Sequence, residues 1–145
     1  MNAGGETTEV ARVLPAIDDH DTHGFWDLAR EGTLGVRFCA NCASVCHIAR
    51  PRCTTCASWN TVWKGVSGEG TVYSWTVVRR QVHPSFAVPY TLVLVELSEL
   101  PAVRLVGRVS GAPDLVIGQP MRVRFERVDD SVSLPVWDVV EPTTE

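Results

Sequence analysis

Hydrophobic residues fall into two periods along this chain. From Tyr90 to Leu97 the pattern alternates, with Leu92 and Leu94 set against Val93 and Val95. Alternation of that kind marks a half-buried strand. Thr71 to His83 is a longer β-prone run rich in Val, Tyr, Trp and Thr, and Val103–Val109, Met121–Val128 and Leu134–Val140 follow. Breakers separate these runs: Pro84, Pro89, Pro101, Gly111-Ala112-Pro113, Gly118, Pro120 and Asp129-Asp130. Five strands, the first long enough to bend, predict a small closed barrel of the OB type. A β-sandwich is the alternative, although five strands are few for one.

Upstream the period changes. Phe25, Trp26, Leu28 and Ala29 cluster on one side of a helix predicted over Asp18–Arg30. Asp18, Asp19 and Asp21 lie near its start, where carboxylates suit the helix dipole, and Gly32 supplies a C-cap. Residues 1–17 are polar and aperiodic, as expected of a mobile N-terminal arm. Residues 34–65 hold short β-prone stretches, Leu34–Phe38 and Thr61–Trp63, but too few apolar residues for a core. Such a segment needs a staple. The expected organisation is an arm over 1–17, a helix over 18–33, a stapled ribbon over 34–65, a barrel over 66–141 and a tail over 142–145. The fold class is mainly β, and no internal repeat stands out.

The cysteines supply the staple. Cys39-Ala40-Asn41-Cys42 and Cys53-Thr54-Thr55-Cys56 are two C-x₂-C turns separated by ten residues. Two residues between thiols let a tight turn aim both sulfurs at one ion, and two such turns complete a tetrahedral site. Zinc suits four thiolates; iron in the same sphere is the alternative. Four protein ligands leave no open position, so Zn²⁺ bound by Cys39, Cys42, Cys53 and Cys56 would be structural. A redox C-x-x-C usually opens a helix in a βαβ context, which this chain lacks. Cys46 is then a free thiol, and His47 a hairpin residue rather than a ligand. His20 and His23 could share a helix face, but without a carboxylate partner they make a weak metal site.

Charge alters the picture next. The chain has 145 residues, 45% of them apolar and 21% charged, which is globular composition. Its formal net charge is −4, which argues against a general nucleic-acid binder. No run is long and apolar enough to span a membrane, and no secretory signal is visible at the N-terminus. A cytoplasmic location is expected, where thiols stay reduced. Residues 1–31 carry net −5, residues 32–95 net +5 and residues 96–145 net −4. A positive middle suits a small phosphorylated ligand or an acidic partner surface; chance patterning of solvated charges explains it equally well, and a zinc tetrathiolate would offset about two of those charges.

No nucleophile elbow, HExxH or phosphate loop is present, so no catalytic residue is assigned. One loop is chemically dense: Arg79, Arg80, His83, Phe86 and Tyr90 lie between and around Pro84 and Pro89. Its arginines suit phosphate, and Phe86 or Tyr90 could cover a ring or an acyl chain. The loop, with the ribbon beside it, is the candidate ligand- or partner-binding face. The plainer reading is a rigid connection packing Phe86 and Tyr90 into the barrel.

These motifs together resemble the DUF35 family. The likeness is carried by Phe25-Trp26, Leu34, Cys39-x₂-Cys42, Arg50-Pro51, Cys53-x₂-Cys56 and the run Gly68-x-Gly70-Thr71-Val72-Tyr73-Ser74-Trp75. It continues in His83-Pro84-x-Phe86, Pro89-Tyr90, Val95-Glu96-Leu97 and Leu134-Pro135-Val136-Trp137, covering about residues 18–141. The resemblance implies a rubredoxin-like zinc ribbon followed by an OB-fold. It also implies a non-catalytic, acyl-CoA-binding accessory subunit. The partner would be a thiolase-like acyltransferase or a lipid-transfer-protein-like aldolase of steroid side-chain breakdown. A single-stranded nucleic-acid-binding OB module, stacking bases on Trp75, Phe86 and Tyr90, is the alternative from another class. A stand-alone enzyme is the third.

Overall fold

A computed structural model describes residues 11–141. The first ten residues of the expected arm and the tail over 142–145 lie outside the described residues. Within 11–17, the Arg12 guanidinium pairs with Glu126 on the barrel at 3.1 Å.

Helix α1 spans His23–Arg30, a later start than Asp18. The reason is Asp19. Its carboxylate accepts the backbone N–H of Asp21 at 2.9 Å and the Thr22 hydroxyl at 3.4 Å. The acidic residues thus build a turn ahead of the helix instead of its first turn, because Asx side chains compete with helical backbone bonding. At the other end Gly32 takes φ 75°, and its N–H and that of Thr33 bond back to Ala29 and Leu28. A residue with a Cβ would be strained in that left-handed position.

Strands β1 (Leu34–Cys39) and β2 (Thr61–Val66) form an antiparallel pair, with Leu34 opposite Val66 and Cys39 opposite Thr61. The remaining strands are β3 (Glu69–Val78), β4 (Tyr90–Leu97), β5 (Arg104–Ser110), β6 (Pro120–Arg127) and β7 (Ser133–Val139). They close a five-stranded barrel in the order β3-β4-β5-β7-β6, with β6 returning to β3. β3 is shorter than its β-prone sequence, since pairing stops at Val78 opposite Tyr90. The register slips between Val72 and Ser74, so Tyr73 is an extra residue. A bulge there bends β3. Glu69–Thr71 reach β6 on one side, while Gly70–Val78 pair with β4 on the other. β5 and β7 run parallel and meet at Arg108–Val136, the seam that completes the barrel.

The barrel interior is filled by Val72, Val93, Val95, Leu97, Val103, Met121 and Trp137, all buried. Trp137 lies so close to Gly107 that a Cβ there would run into the indole. Thr91 is fully buried, and its hydroxyl donates to the Gly111 carbonyl at 2.8 Å. Leu34 and Val36 of β1 belong to the same buried cluster. The base of the ribbon therefore shares the barrel's core, whereas its cysteine end forms a separate buried cluster of Cys39, Cys46 and Cys53.

Candidate functional site

The two cysteine turns are copies of one six-residue unit, Cys39-Ala-Asn-Cys-Ala-Ser44 and Cys53-Thr-Thr-Cys-Ala-Ser58. In each, the alanine N–H donates to the carbonyl of the first cysteine at 3.0 Å. The first cysteine's N–H donates to the serine carbonyl, at 2.8 Å for Ser44 and 2.9 Å for Ser58. Ala43 and Ala57 take φ 61° and 62°. That left-handed step turns the chain back and leaves both sulfurs of a turn on its inner side. The duplication was legible as C-x-x-C-A-S and is missed by a search for longer repeats.

Pairing of Cys39 with Thr61 brings the second turn beside the first. The Sγ atoms of Cys39 and Cys56 are 3.6 Å apart, as are those of Cys42 and Cys53, and all four lie within 4.8 Å of one another. All four cysteines are free, so no disulfide bridges them. A tetrahedral ion with metal–sulfur bonds of about 2.3 Å requires sulfur separations near 3.8 Å. The donor set therefore fits a thiolate-loving metal, and no position of such a tetrahedron is left for a substrate. Backbone N–H groups of Cys56 and Thr55 draw the Cys53 thiol down to about 6. Cys56, although an N–H from Ser58 opposes it, is pushed up to about 12 by the neighbouring thiols of Cys42 and Cys39.

Cys46 lies outside the four-sulfur set. It is buried, and burial with nearby Cys53 pushes its thiol up. His47 turns away from the sulfurs, placing Nε2 2.9 Å from the Arg104 carbonyl. His20 precedes α1, so it shares no helix face with His23; its carbonyl meets His23 Nδ1 at 3.0 Å.

The residues of the second candidate region sit in the connection between β3 and β4. Arg79 and Arg80 are exposed. The Gln81 amide donates to the Pro84 and Phe86 carbonyls. Phe86 is half-buried, with ring centroids 5.8 Å from His83 and 6.4 Å from Tyr90. Phe86, Tyr90, Leu92, Leu134 and Pro135 line a cleft of about 300 Å³, with Arg12 and Arg108 at its margin. Phe86 thus packs toward the barrel end while still facing a cleft. His83 Nδ1 lies 2.7 Å from the Ser85 hydroxyl, a contact not anticipated from sequence. The same nitrogen receives the Ser85 backbone N–H, and no carboxylate among the described residues orients the ring. It is a local turn.

One expectation about this loop is corrected. The ribbon does not lie beside it. His47 reaches β5 at Arg104, which pairs with Glu96, whereas the loop ends at Tyr90, which pairs with Ser110. At about 3.3 Å per residue, the six steps from Tyr90 to Glu96 separate the two by roughly 20 Å. The reason is the antiparallel register, which puts successive connections at opposite barrel ends. Of the three candidate stacking aromatics, Phe86 and Tyr90 share one cleft, whereas Trp75 lines a different one with Leu94 and Val106.

Ion pairing sorts the cations. Arg104, Arg108, Arg122, Arg124 and Arg127 on the barrel each pair with a carboxylate, as do Arg12, Arg30 and Arg37. Among the described residues, Arg50, Arg52, Lys64, Arg79 and Arg80 have no ion-pair partner. All five belong to the positive middle of the chain.

Comparison with known proteins gives consistent results. A family model described as "ChsH2, C-terminal OB-fold domain" matches residues 63–126. The chain is 36% identical over 138 residues to a "Probable enoyl-CoA hydratase alpha subunit" of Thermomonospora curvata, covering 92% of this chain and 42% of that one. It is 31% identical over 129 residues to the "3-oxo-4,17-pregnadiene-20-carboxyl-CoA hydratase alpha subunit" of Mycobacterium tuberculosis, covering 88% and 39%. The chain thus spans about two fifths of the length of these curated relatives. Among solved structures, "Ltp2-ChsH2(DUF35) aldolase" superposes with a TM-score of 0.77 at 34% identity, covering 86% of this chain and 97% of that one. A DUF35 protein of unknown function from Sulfolobus solfataricus shares the fold, with a TM-score of 0.50 at 16% identity over 73% of this chain and 77% of that one.

Proposed function

The chain belongs to the DUF35 family of ChsH2-like proteins, and from that premise we propose that it is a non-catalytic, acyl-CoA-binding accessory subunit of a thiolase-like or lipid-transfer-protein-like enzyme. The observation that carries this reading is the likeness to the ChsH2(DUF35) chain, which extends over 97% of that component of a two-part aldolase. The names of the curated relatives, subunits of hydratases acting on CoA thioesters, point to the same substrate class.

The side chains support the division of labour. The four cysteines would hold Zn²⁺ and supply folding energy to the ribbon, since a preformed thiolate site couples metal binding to folding. Arg79 and Arg80, without internal partners, would meet the phosphates of CoA. His83 stiffens the turn that presents them, and the cleft under Phe86 and Tyr90 would shelter the apolar part of the thioester. No helix among the described residues is long and apolar enough to cross a membrane, and we place this assembly in the cytoplasm. The barrel's arginines are neutralised by their own carboxylates, which disfavours the basic groove a single-strand binder needs.

Co-expression with a thiolase-like subunit from the same genome tests the proposal. The pair should co-purify, and the complex should bind an acyl-CoA with an affinity that drops at least fivefold in Arg79→Ala with Arg80→Ala, more at low salt than at high. A chain that purifies alone in the presence of such subunits would contradict it.

A further inference from the structure

The outer end of the ribbon carries a surface that neither the metal nor the CoA reading uses. Trp59 is 70% exposed. Its ring is not loose: the Arg52 guanidinium sits 5.8 Å from its centroid, and Arg52 Nε donates to the Ala57 carbonyl at 2.9 Å. Arg52 is thereby fixed at the second cysteine turn and holds one face of the indole, leaving the rest in solvent. Beside it lies an open cleft of about 420 Å³ lined by Arg50, Pro51, Arg52, Cys53, Thr54 and Ala57.

A plain explanation for two arginines here is neutralisation of the thiolates. The hydrogen bonds argue otherwise. The sulfurs' contacts are with one another, with Ser44 and with backbone N–H groups of Thr55, Cys56 and Ser58, and Arg52 is turned to a carbonyl and an indole. Neither Arg50 nor Arg52 has an ion-pair partner among the described residues, and no Asp or Glu occurs from residue 32 to residue 68. A pre-ordered, exposed Trp flanked by Arg without ion-pair partners among the described residues, on a segment that itself carries no acids, has the composition of a protein interface centre. Small-molecule sites instead enclose most of their ligand, and this cleft is open.

We propose that the Trp59–Arg52–Arg50 end of the ribbon is the docking surface for the enzyme subunit, and that it seats on a partner patch with an apolar socket rimmed by Asp and Glu. The inference rests on the accessory-subunit reading and deepens it. It separates the surface that holds the partner from the loop that meets CoA, about one barrel length away.

The test uses the full chain with its metal and the co-purifying thiolase-like subunit as the probe, with affinity measured at two salt concentrations. Trp59→Ala should weaken assembly at least tenfold, with Trp59→Phe recovering part of the loss. Arg50→Glu with Arg52→Glu should weaken it further and reverse its salt dependence, since added salt would then screen a repulsion. Metal content of one ion per chain checks that these variants keep their fold, and Arg127→Glu on the barrel serves as the control. If the ribbon variants assemble like the parent, the docking surface lies elsewhere and the accessory reading stands without it. If the parent binds no thiolase-like subunit, both fall. A ribbon that instead binds a single-stranded oligothymidylate, with loss in the Arg50/Arg52 variant, would overturn the protein-partner assignment.

Discussion

The barrel and the ribbon solve the same problem, burying enough to hold a fold, by opposite means. The barrel closes five strands around Val93, Val95, Met121 and Trp137, and every element contributes apolar surface. The ribbon has one two-stranded pair whose base leans on that same core through Leu34 and Val36. Its far end has no apolar cluster beyond the cysteines. Stability in the first is spread over many contacts, each replaceable at moderate cost. In the second it would rest, on the proposed reading, on four sulfur atoms and the ion they hold. The proposed docking surface follows the same split: the side that can be rigid without a large core displays Trp59 and arginines that have no ion-pair partner among the described residues.

Removing a sulfur should break this contrast most severely. Cys53→Ser should lose the metal, whose apparent binding energy in structural sites is on the order of 10 kcal/mol. Amide exchange should rise to the unprotected limit across residues 39–60 while β3–β7 stay protected. Protection retained in the ribbon of a metal-free protein would show that the cysteines are not its staple.

Trp137→Ala should have the complementary effect. Loss of a buried indole packed on Gly107 costs about 3–5 kcal/mol. Urea unfolding followed by barrel tryptophan fluorescence should report it. Because Leu34 and Val36 share that core, the ribbon should lose protection in parallel; an unaffected ribbon would mean that the two units are energetically separate.

A smaller effect probes the turn geometry. Ala57→Gly should stabilise the metal-loaded protein by roughly 0.5–1 kcal/mol, because the left-handed conformation at φ 62° strains any residue with a Cβ. No change in melting temperature would count against the strained turn.

The smallest belongs to the barrel's last connection. Asp129 accepts the backbone N–H of Ser131, the Ser131 hydroxyl and the Val132 N–H, and these bonds hold its carboxyl below the usual 3.8. A depressed folded value means stability present above about pH 4 and lost as pH falls through the folded value. Asp129→Ala should therefore lower the melting temperature at pH 7, and the difference from the parent should shrink as pH falls below the folded value. A difference that persists unchanged there would contradict the assignment.

How far the sequence carried these conclusions depended on the range of the interactions involved. β4 was legible to the residue, Tyr90 to Leu97, because a two-residue period facing one core leaves no freedom of register. The two cysteine turns that supply the four-sulfur cluster were legible because spacing within a turn is local, while their meeting depends on the pairing of β1 with β2. Four features were not. The start of α1 was misplaced because aspartates favour both a helix start and the Asx turn that competes with it. β3 was overextended because Val82 carries the β-prone run past Val78, where no partner strand remains to pair with it. The placement of the ribbon against Arg104, far from the Arg79–Tyr90 loop, depends on long-range register that no local pattern encodes. The pairing of the barrel arginines with carboxylates depends on the same register, and the pairing of Arg37 with Asp21 leaves five of the six cations of the positive middle without an ion-pair partner among the described residues.

The most direct test of the central claim is acyl-CoA turnover, measured for the purified chain, for the thiolase-like subunit and for the two together. The chain alone should show no turnover, and its addition should raise the kcat/KM of the partner. Turnover by the chain alone that a substitution within it abolishes would contradict the claim.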